Sequence, residues 1–395
     1  MTAILPRRLI AQTTDSNGVP VTDDFGTRVM TSFESDRLSQ FNNFQNDVEE
    51  FLRILENRTI EVNGKSAVSA HQIWKTVMEN ESIASEDVQQ LFSRKNVMNL
   101  TKVDRKLDGI ISWQNIVQFT TNYLLNESYY LRLLPYSTNH LNVTPLQLRH
   151  FVENEVLIGW GEDVSMPANH VDYLTQAIIF LLDARNKEMI LIEDIMASNV
   201  FVQLKKTMDY DRQKTDTPPE NHLFAIETGK RAIDEFLEVD FDRTSVVTQS
   251  KLTVFKNANF NTYFLKRVLE VNARFEKDSM DFCGFVNLFA AVEMRHTKAS
   301  LRYHFEIFDR DGDGVIDRAD LELFIMNMNE YIEVNRTVEF QVPDRQLFAS
   351  ELFDMLGCKE TERITMDIFF NHRLSPMFCG AITDLNGFID YETRF

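Results

Sequence analysis

The stretch Asp309-Arg310-Asp311-Gly312-Asp313-Gly314-Val315-Ile316-Asp317-Arg318-Ala319-Asp320 constrains this chain more than any other. It reads as a twelve-residue calcium-binding loop rather than a solvated acidic turn. Side-chain oxygens fall at positions 1, 3, 5, 9 and 12 (Asp309, Asp311, Asp313, Asp317, Asp320), and position 7 offers the backbone carbonyl of Val315. Gly314 stands sixth, where the chain must turn sharply around an ion. Ile316 at position 8 is apolar, as needed to pair with a neighbouring loop. Phe305 and Phe308 close an entering amphipathic helix, and Leu321 and Phe324 open an exiting one. Carboxylates this close repel one another, and a divalent cation removes that cost.

Position 12 departs from the usual pattern. A Glu there reaches the ion with both oxygens, whereas Asp320 is one methylene shorter. Fewer oxygens favour Mg²⁺ relative to Ca²⁺, so the expectation is one weak Ca²⁺ site with Mg²⁺ as a competitor.

A formal net charge of −19 argues against a nucleic-acid partner, since phosphate binding needs a basic surface. With 31 Phe against 13 Gly and 9 Pro, the composition favours helices packed through aromatic anchors. The 3 Cys (Cys283, Cys358, Cys379) form no disulfide framework and no zinc pattern. The N-terminus lacks a signal peptide's apolar region, and the longest apolar run, Ala177 to Leu182, is too short for a bilayer. A cytoplasmic protein with no membrane partner is expected.

Residues 1–34 are polar and aperiodic and read as a flexible tail, in which Pro6-Arg7-Arg8-Leu9-Ile10 is at most a short docking motif. From Asp36 to Glu56, Leu38, Phe41, Phe44, Val48, Phe51, Leu52 and Leu55 recur at helical spacing. The stretch from Thr207 to His222, with Pro218-Pro219, reads as the clearest loop.

The apolar skeleton of the 309–320 loop recurs elsewhere. Counting from Asp104, the same frame gives Leu100, Val103, Gly109, Ile111, Asn115, Ile116 and Phe119. From Asp240 it gives Phe236, Val239, Val247, Lys251, Leu252 and Phe255. From Asp183 it gives Ile179, Leu182, Ile190, Asp194 and Ile195, and from Tyr136 it gives Val143, Gln147, Leu148 and Phe151. The skeleton survives in these copies while the ligands do not. In the best of them Ser245 replaces the glycine and Lys251 places a cation at position 12, so they read as metal-free structural hands. Such hands pair through a ladder at position 8; the expected pairs are Asp104 with Tyr136 and Asp240 with Asp309.

No catalytic constellation is present: there is no G-x-S-x-G, H-E-x-x-H, phosphate-binding G-x-x-x-x-G-K or C-x-x-C. The 8 His are dispersed. The weight falls on a binding protein with no catalytic residues.

Several stretches together resemble a known family. They are Asp281-Phe282-Cys283-Gly284-Phe285-Val286, Ala299-Ser300-Leu301-Arg302-Tyr303-His304-Phe305, the 309–320 loop, and the tail Ile382-Thr383-Asp384-Leu385-Asn386-Gly387-Phe388-Ile389-Asp390-Tyr391-Glu392. These are similar to the B'' regulatory subunits of protein phosphatase 2A. The tail, with Phe180-Leu181-Leu182-Asp183 and Ile192-Glu193-Asp194-Ile195, is nearest the gamma branch. The resemblance runs from about residue 85 to 395. It implies a non-catalytic subunit that binds the scaffold (A) and catalytic (C) subunits and directs Ser/Thr dephosphorylation, with some members acting at centrosomes, on the spindle and in cell division. Lys251 and Ser245 depart from the first of the two metal loops often functional in relatives, and Asp320 departs from the second.

The architecture expected is all-α: EF-hand-like helix-loop-helix pairs with short two-strand ladders, in two lobes. The tail covers 1–34, an N-terminal lobe with a degenerate pair covers 35–165, and a C-terminal lobe carrying the metal loop covers 166–395. The alternative function is a stand-alone EF-hand calcium sensor, or a cytoskeletal or centrosomal adaptor, without phosphatase.

Overall fold

The computed structural model describes residues 13–14, 20–21, 24–80, 85–103, 109–160, 169–185, 187–213, 222–272, 278–335 and 344–393. Most of the 1–34 tail, its Pro6–Ile10 motif, and Asp104 and Asp108 lie outside the described residues, as does 214–221 of the expected Thr207–His222 loop. The start of that loop, up to Gln213, instead continues the helix Val200–Gln213. The helix expected from Asp36 begins at Asp24 and runs to Glu56.

Helices carry the fold, as the aromatic-rich, glycine-poor composition requires, and the strands are short. The chain divides into two compact units: residues 1–147 with 191–202, and residues 148–190 with 203–395. This differs from the expected division at 165/166. Residues after 147 belong with the second unit because Trp160 is buried there, its indole donating to Asp211 at 2.8 Å and its edge facing His170. Residues 191–202 belong with the first because Phe201 stacks on Tyr129 with ring centroids 4.5 Å apart.

In the first unit, Phe44, Val48, Phe51 and Leu55 lie on one face of Asp24–Glu56, the periodicity read from the sequence, and are buried with Val68, Ile73, Val88, Leu91, Phe92, Ile111 and Ile116. Leu38, counted on that stripe, is exposed. A three-stranded antiparallel sheet, Ile60–Val62, Lys65–Ser69 and Ile110–Ser112, lies beside this core, where only two-strand ladders were expected. Asn63-Gly64, with φ of 54° and 75°, turns its first hairpin, a dipeptide suited to that geometry.

The repeated frame has a clear structural meaning. Its position-8 residues Ile111, Val143, Ile190, Val247 and Ile316 all lie in short strands and are all buried. The partners differ from those expected. Val68, not the Tyr136 segment, faces Ile111, and the Tyr136 segment instead accepts at the Leu141 carbonyl the amide of Ile192, at 2.9 Å. Val247 faces Met280, and Ile316 faces Ile364, so the Asp240 and Asp309 hands do not pair with each other. Each pairs with a segment that keeps an apolar position 8 but carries no acids at positions 1, 3, 5 and 12, which a search guided by carboxylates passes over. Counting back from Ile364, positions 1, 3, 5 and 12 are Gly357, Lys359, Thr361 and Ile368.

The second unit therefore holds two complete pairs. Ile226–Val239 enters the 240–251 loop, and Thr262–Asn272 with Phe282–Glu293 flanks its partner strand. Lys298–Phe308 and Arg318–Asn335 flank the 309–320 loop, and Arg345–Met355 and Met366–Asn371 flank its partner. Phe308, fully buried, sits among Phe324, Phe369 and Phe378, with centroids 5.2, 6.5 and 6.0 Å away. Aromatic pairs in these edge-on geometries add about 0.5–1.5 kcal/mol each to their burial. The helices Ser375–Thr383 and Leu385–Glu392 close the chain. Leu385 donates to the Asn259 carbonyl at 2.9 Å and Asn261 donates to the Thr383 carbonyl at 2.8 Å, which ties this closing hairpin to the segment leaving the 240–251 loop.

Candidate metal centre

Asp309 ends the helix Lys298–Phe308, its amide donating to the Phe305 carbonyl at 2.9 Å. The loop then folds around its carboxylate. Asp309 Oδ1 accepts the amides of Gly312 (2.9 Å) and Asp313 (3.2 Å), and Oδ2 accepts that of Gly314 (2.9 Å). Asp311 Oδ1 accepts the Asp313 amide at 3.2 Å, and Asp313 Oδ1 accepts that of Val315 at 2.8 Å. Gly314 has φ of 83°, a left-handed conformation that costs an L side chain about 1–2 kcal/mol. Val315 and Ile316 pair with Thr365 and Ile364, which fixes the loop's far side.

Of the residues expected to hold a metal, the structure brings one oxygen each of Asp309, Asp311 and Asp313 within 4.8 Å of one another. Asp317 and Asp320 are engaged differently. Asp317 Oδ1 accepts the amides of Ala319 (2.8 Å) and Asp320 (3.2 Å), starting the helix Arg318–Asn335. Asp320, 5% exposed, accepts the amides of Arg310 and Asp317, each at 3.0 Å. Burial, then the nearby charges of Asp317 and Asp311, hold the Asp320 carboxyl above its ordinary range despite those two amide bonds. From outside the loop, the exposed Arg363 lies 3.6 Å from Asp313 Oδ2. The all-oxygen donor set, with burial and then neighbouring carboxylates disfavouring ionisation of Asp320, fits a hard divalent cation. Asp309, Asp311 and Asp313 would hold it, with the Val315 carbonyl, Asp317 and Asp320 completing the set expected from the sequence. Such an ion supplies charge neutralisation and structural order, with no reaction attached.

The 240–251 loop has the same design with different contents. Asp240 Oδ1 accepts the amide of Thr244 at 3.2 Å and Oδ2 that of Ser245 at 3.0 Å, and Asp242 Oδ1 accepts the Thr244 amide at 3.3 Å. Position for position these are the bonds from Asp313 and Gly314 to Asp309 and from Asp313 to Asp311. Arg243 (φ 57°) and Ser245 (φ 61°) adopt the left-handed conformation that Gly312 (φ 74°) and Gly314 adopt in the other loop. The buried Lys251 sends its ammonium into the centre, donating to Asp240 Oδ1 at 3.2 Å, to Asp242, and to Thr244 Oγ and the Val246 carbonyl at 2.7 Å each. The Lys251 hydrogen bond holds the Asp242 carboxyl down at about 2. Burial pushes the Lys251 ammonium down, but its bonds to Asp242 and Asp240 prevail and hold it above its ordinary range.

Two further features escaped the sequence reading. Asp384 caps Leu385–Glu392 by accepting the Gly387 amide at 2.8 Å and pairs with Arg295. Asn261 donates through Nδ2 to the carbonyls of Phe324 (2.8 Å) and Ile382 (3.0 Å), joining the helix that leaves the 309–320 loop to the closing hairpin. No local motif announces the Arg295 pair or the Asn261 bonds, because those partners are remote in sequence. Asp183, read as position 1 of a degenerate frame, is ion-paired with Arg302 at 2.5 Å.

Comparison with known proteins agrees with this arrangement. Family models described as the RSA-1 middle domain and the RSA-1 C-terminal domain match residues 138–225 and 240–395. The chain is 26% identical over 375 residues to serine/threonine-protein phosphatase 2A regulatory subunit rsa-1 of Caenorhabditis elegans, covering 94% of this chain and 91% of that one. It is 26% identical over 237 residues to the B'' subunit gamma of the same phosphatase from Xenopus tropicalis, covering 59% of this chain and 51% of the relative. The chain thus spans about half the length of that B'' gamma relative. A solved structure of the PP2A PR70 holoenzyme contains a chain of similar fold, with a TM-score of 0.55 at 17% identity, covering 67% of this chain and 98% of that one. With the two RSA-1 domains matched in chain order over more than half of its length, the chain belongs to the RSA-1 family of protein phosphatase 2A regulatory subunits.

Proposed function

We propose that this chain is a non-catalytic, substrate-targeting subunit of the Ser/Thr protein phosphatase 2A holoenzyme, which binds the scaffold and catalytic subunits and acts in cell division at the centrosome or spindle. The observation that carries the reading is the match of residues 240–395 to the RSA-1 C-terminal domain. That stretch contains both metal-type loops with their partner strands and the closing hairpin, and begins where the helix Ile226–Val239 ends. The B'' resemblance supplies the partners and the cellular setting. One divalent cation, Ca²⁺ with Mg²⁺ as competitor, orders the 309–320 loop. Affinity purification of the tagged chain from dividing cells tests the reading: scaffold and catalytic phosphatase subunits co-purify, and the tag concentrates at spindle poles in mitosis. A chain that captures neither subunit refutes it.

A stand-alone calcium sensor is the second reading. A sensor of this type opens cooperatively through loops that respond together. The Lys251 ammonium inside the 240–251 loop argues against it, because that hand already holds a cation. A centrosomal adaptor without phosphatase would be distinguished by the same purification, which would then return cytoskeletal proteins alone.

A further inference from the structure

We propose that the 240–251 loop is a cation site whose ligand is the chain's own Lys251 ammonium, a tethered ion that holds this hand in its ion-loaded conformation at every free calcium level. Three observations converge. First, the ammonium meets oxygens at loop positions 1, 3, 5 and 7 (Asp240, Asp242, Thr244 and the Val246 carbonyl), the positions that surround an ion in a metal loop. A Lys ammonium is a compact point charge with three donors on a flexible stem, able to satisfy such a set without planar geometry. Second, the backbone is that of the metal loop: the amides of positions 5 and 6 bond to the position-1 carboxylate in both, and positions 4 and 6 are left-handed in both. At 240–251 this conformation is adopted by Arg243 and Ser245, residues with a Cβ, so it is imposed by the filled centre rather than chosen by glycine. Third, the ladder from Val247 to Met280 is formed, and Leu252 and Phe255 of the exiting segment are buried, so the hand is in its paired, packed state.

The physical advantage of a tethered cation is concentration. An ion from solution binds as a second molecule, whereas Lys251, in the short helix Gln249–Leu252, is tethered eleven residues from Asp240. The charge balance also differs. One ammonium faces the two carboxylates of Asp240 and Asp242, so the filled centre keeps a single net negative charge, which Arg243 balances over the loop as a whole. The 309–320 loop gathers five carboxylates. Removing divalent ions therefore acts on the 309–320 hand and leaves the 240–251 hand in place. The inference rests on the loop geometry alone and stands whether or not the chain joins a phosphatase.

Hydrogen exchange of the full-length chain, followed by mass spectrometry in chelator and in excess Ca²⁺, tests it in an Asp309→Ala background that removes the other loop's response. The expected result is that amides of 240–251 exchange at the same rate with and without Ca²⁺. Lys251→Met should speed their exchange in chelator by about tenfold or more, since a group bonded to four oxygens is lost. Lys251→Glu, which puts a carboxylate at position 12, should restore protection only in Ca²⁺ and add one bound ion by calorimetry. Circular dichroism confirms that each variant is folded. Calcium-dependent protection of 240–251 in the parent background overturns the proposal, as does a folded Lys251→Met chain that exchanges as slowly as its parent, or a folded Lys251→Glu chain that gains no ion.

Discussion

Asp317 and Asp320 cap each other: Asp317 Oδ1 accepts the Asp320 amide at 3.2 Å, and Asp320 Oδ2 accepts the Asp317 amide at 3.0 Å. This reciprocal pair is a capping box at the start of Arg318–Asn335, with Asp where Glu is more usual. Position 12 of the loop thus has two tasks, starting the exiting helix and closing around an ion. Its second oxygen, Oδ1, also takes the Arg310 amide at 3.0 Å, which ties the loop's end to its beginning.

Asp320→Glu separates these tasks. The longer arm can keep the box, where Glu is the common partner, while reaching further into the loop. The expected outcome is at least about a tenfold gain in Ca²⁺ affinity, a wider preference over Mg²⁺, and little change in melting temperature in chelator. Asp320→Ala loses the cap and should lower stability in chelator by about 0.5–2 kcal/mol. Calorimetry and thermal unfolding read both. Unchanged affinity for both ions in Asp320→Glu would mean that the position-12 side chain is a cap and nothing more.

Stoichiometry is the next test. One divalent ion per metal-stripped chain is expected, lost in Asp309→Ala. Asp240→Ala should leave that number at one and still destabilise the protein, because Asp240 is 2% exposed and its loss leaves the buried Lys251 ammonium short of one carboxylate. A lost charge-assisted bond of this kind costs roughly 1.5–3 kcal/mol. Titration that finds two tight Ca²⁺ sites in the wild-type chain would contradict both statements.

How far the fold could be read ahead of the structure follows from what each signal depends on. Position-8 residues were legible because an apolar residue among polar ligands is a local pattern, and Ile111, Val143, Ile190, Val247 and Ile316 all landed in strands. Their partners were not, because Met280 and Ile364 lie in segments with no acid at positions 1, 3, 5 and 12, leaving hydrophobic spacing that any helix shares. Lys251 was legible as a charge in the wrong place. Its role as the loop's own cation was not, since four oxygens converge on it only after the chain folds.

The closing hairpin makes a steric prediction. On Gly387 a Cβ would sit 2.4 Å from the Cα of Gly380, backbone against backbone, so the two helices could not keep their crossing. Overpacking of this kind costs about 1–3 kcal/mol or more. Gly387→Ala should therefore lower the melting temperature and loosen the bonds from Leu385 to Asn259 and from Asn261 to Thr383, seen as faster exchange at both segments. Gly64→Ala, with nothing within 4 Å of the added carbon, is the control for a purely conformational effect.

Packing and ion should contribute unequally to phosphatase assembly. Truncating a buried Phe to Ala costs roughly 3–5 kcal/mol, a large share of a domain's stability. Phe308, packed edge-on against Phe324, Phe369 and Phe378, is such a residue. Phe308→Ala should abolish co-purification with scaffold and catalytic subunits, whereas Asp309→Ala should reduce it only in part. Complete loss with a folded Asp309→Ala chain would make the ion the assembly switch.

The last prediction is a pH dependence. His170 is 1% exposed, with the edge of Trp160 on one side and Tyr173 on the other, and neither ring nitrogen has a hydrogen-bond partner among the described residues. Burial lowers its pKa from 6.5 to about 4. In the unfolded chain the ring takes up a proton near pH 6.5, while in the folded chain it resists until about pH 4. The unfolded state therefore binds more protons across that window, and stability must fall as the pH drops through it. The stability is fully present above pH 6.5. Between pH 7.5 and 4.5 the loss from this one group comes to about 2.5 kcal/mol. His170→Phe keeps an aromatic ring in the slot and removes the titration, so its denaturant-derived stability should decline by about that much less over the same range. Equal slopes for the two proteins would show that the ring is reached by water and titrates normally in the native state.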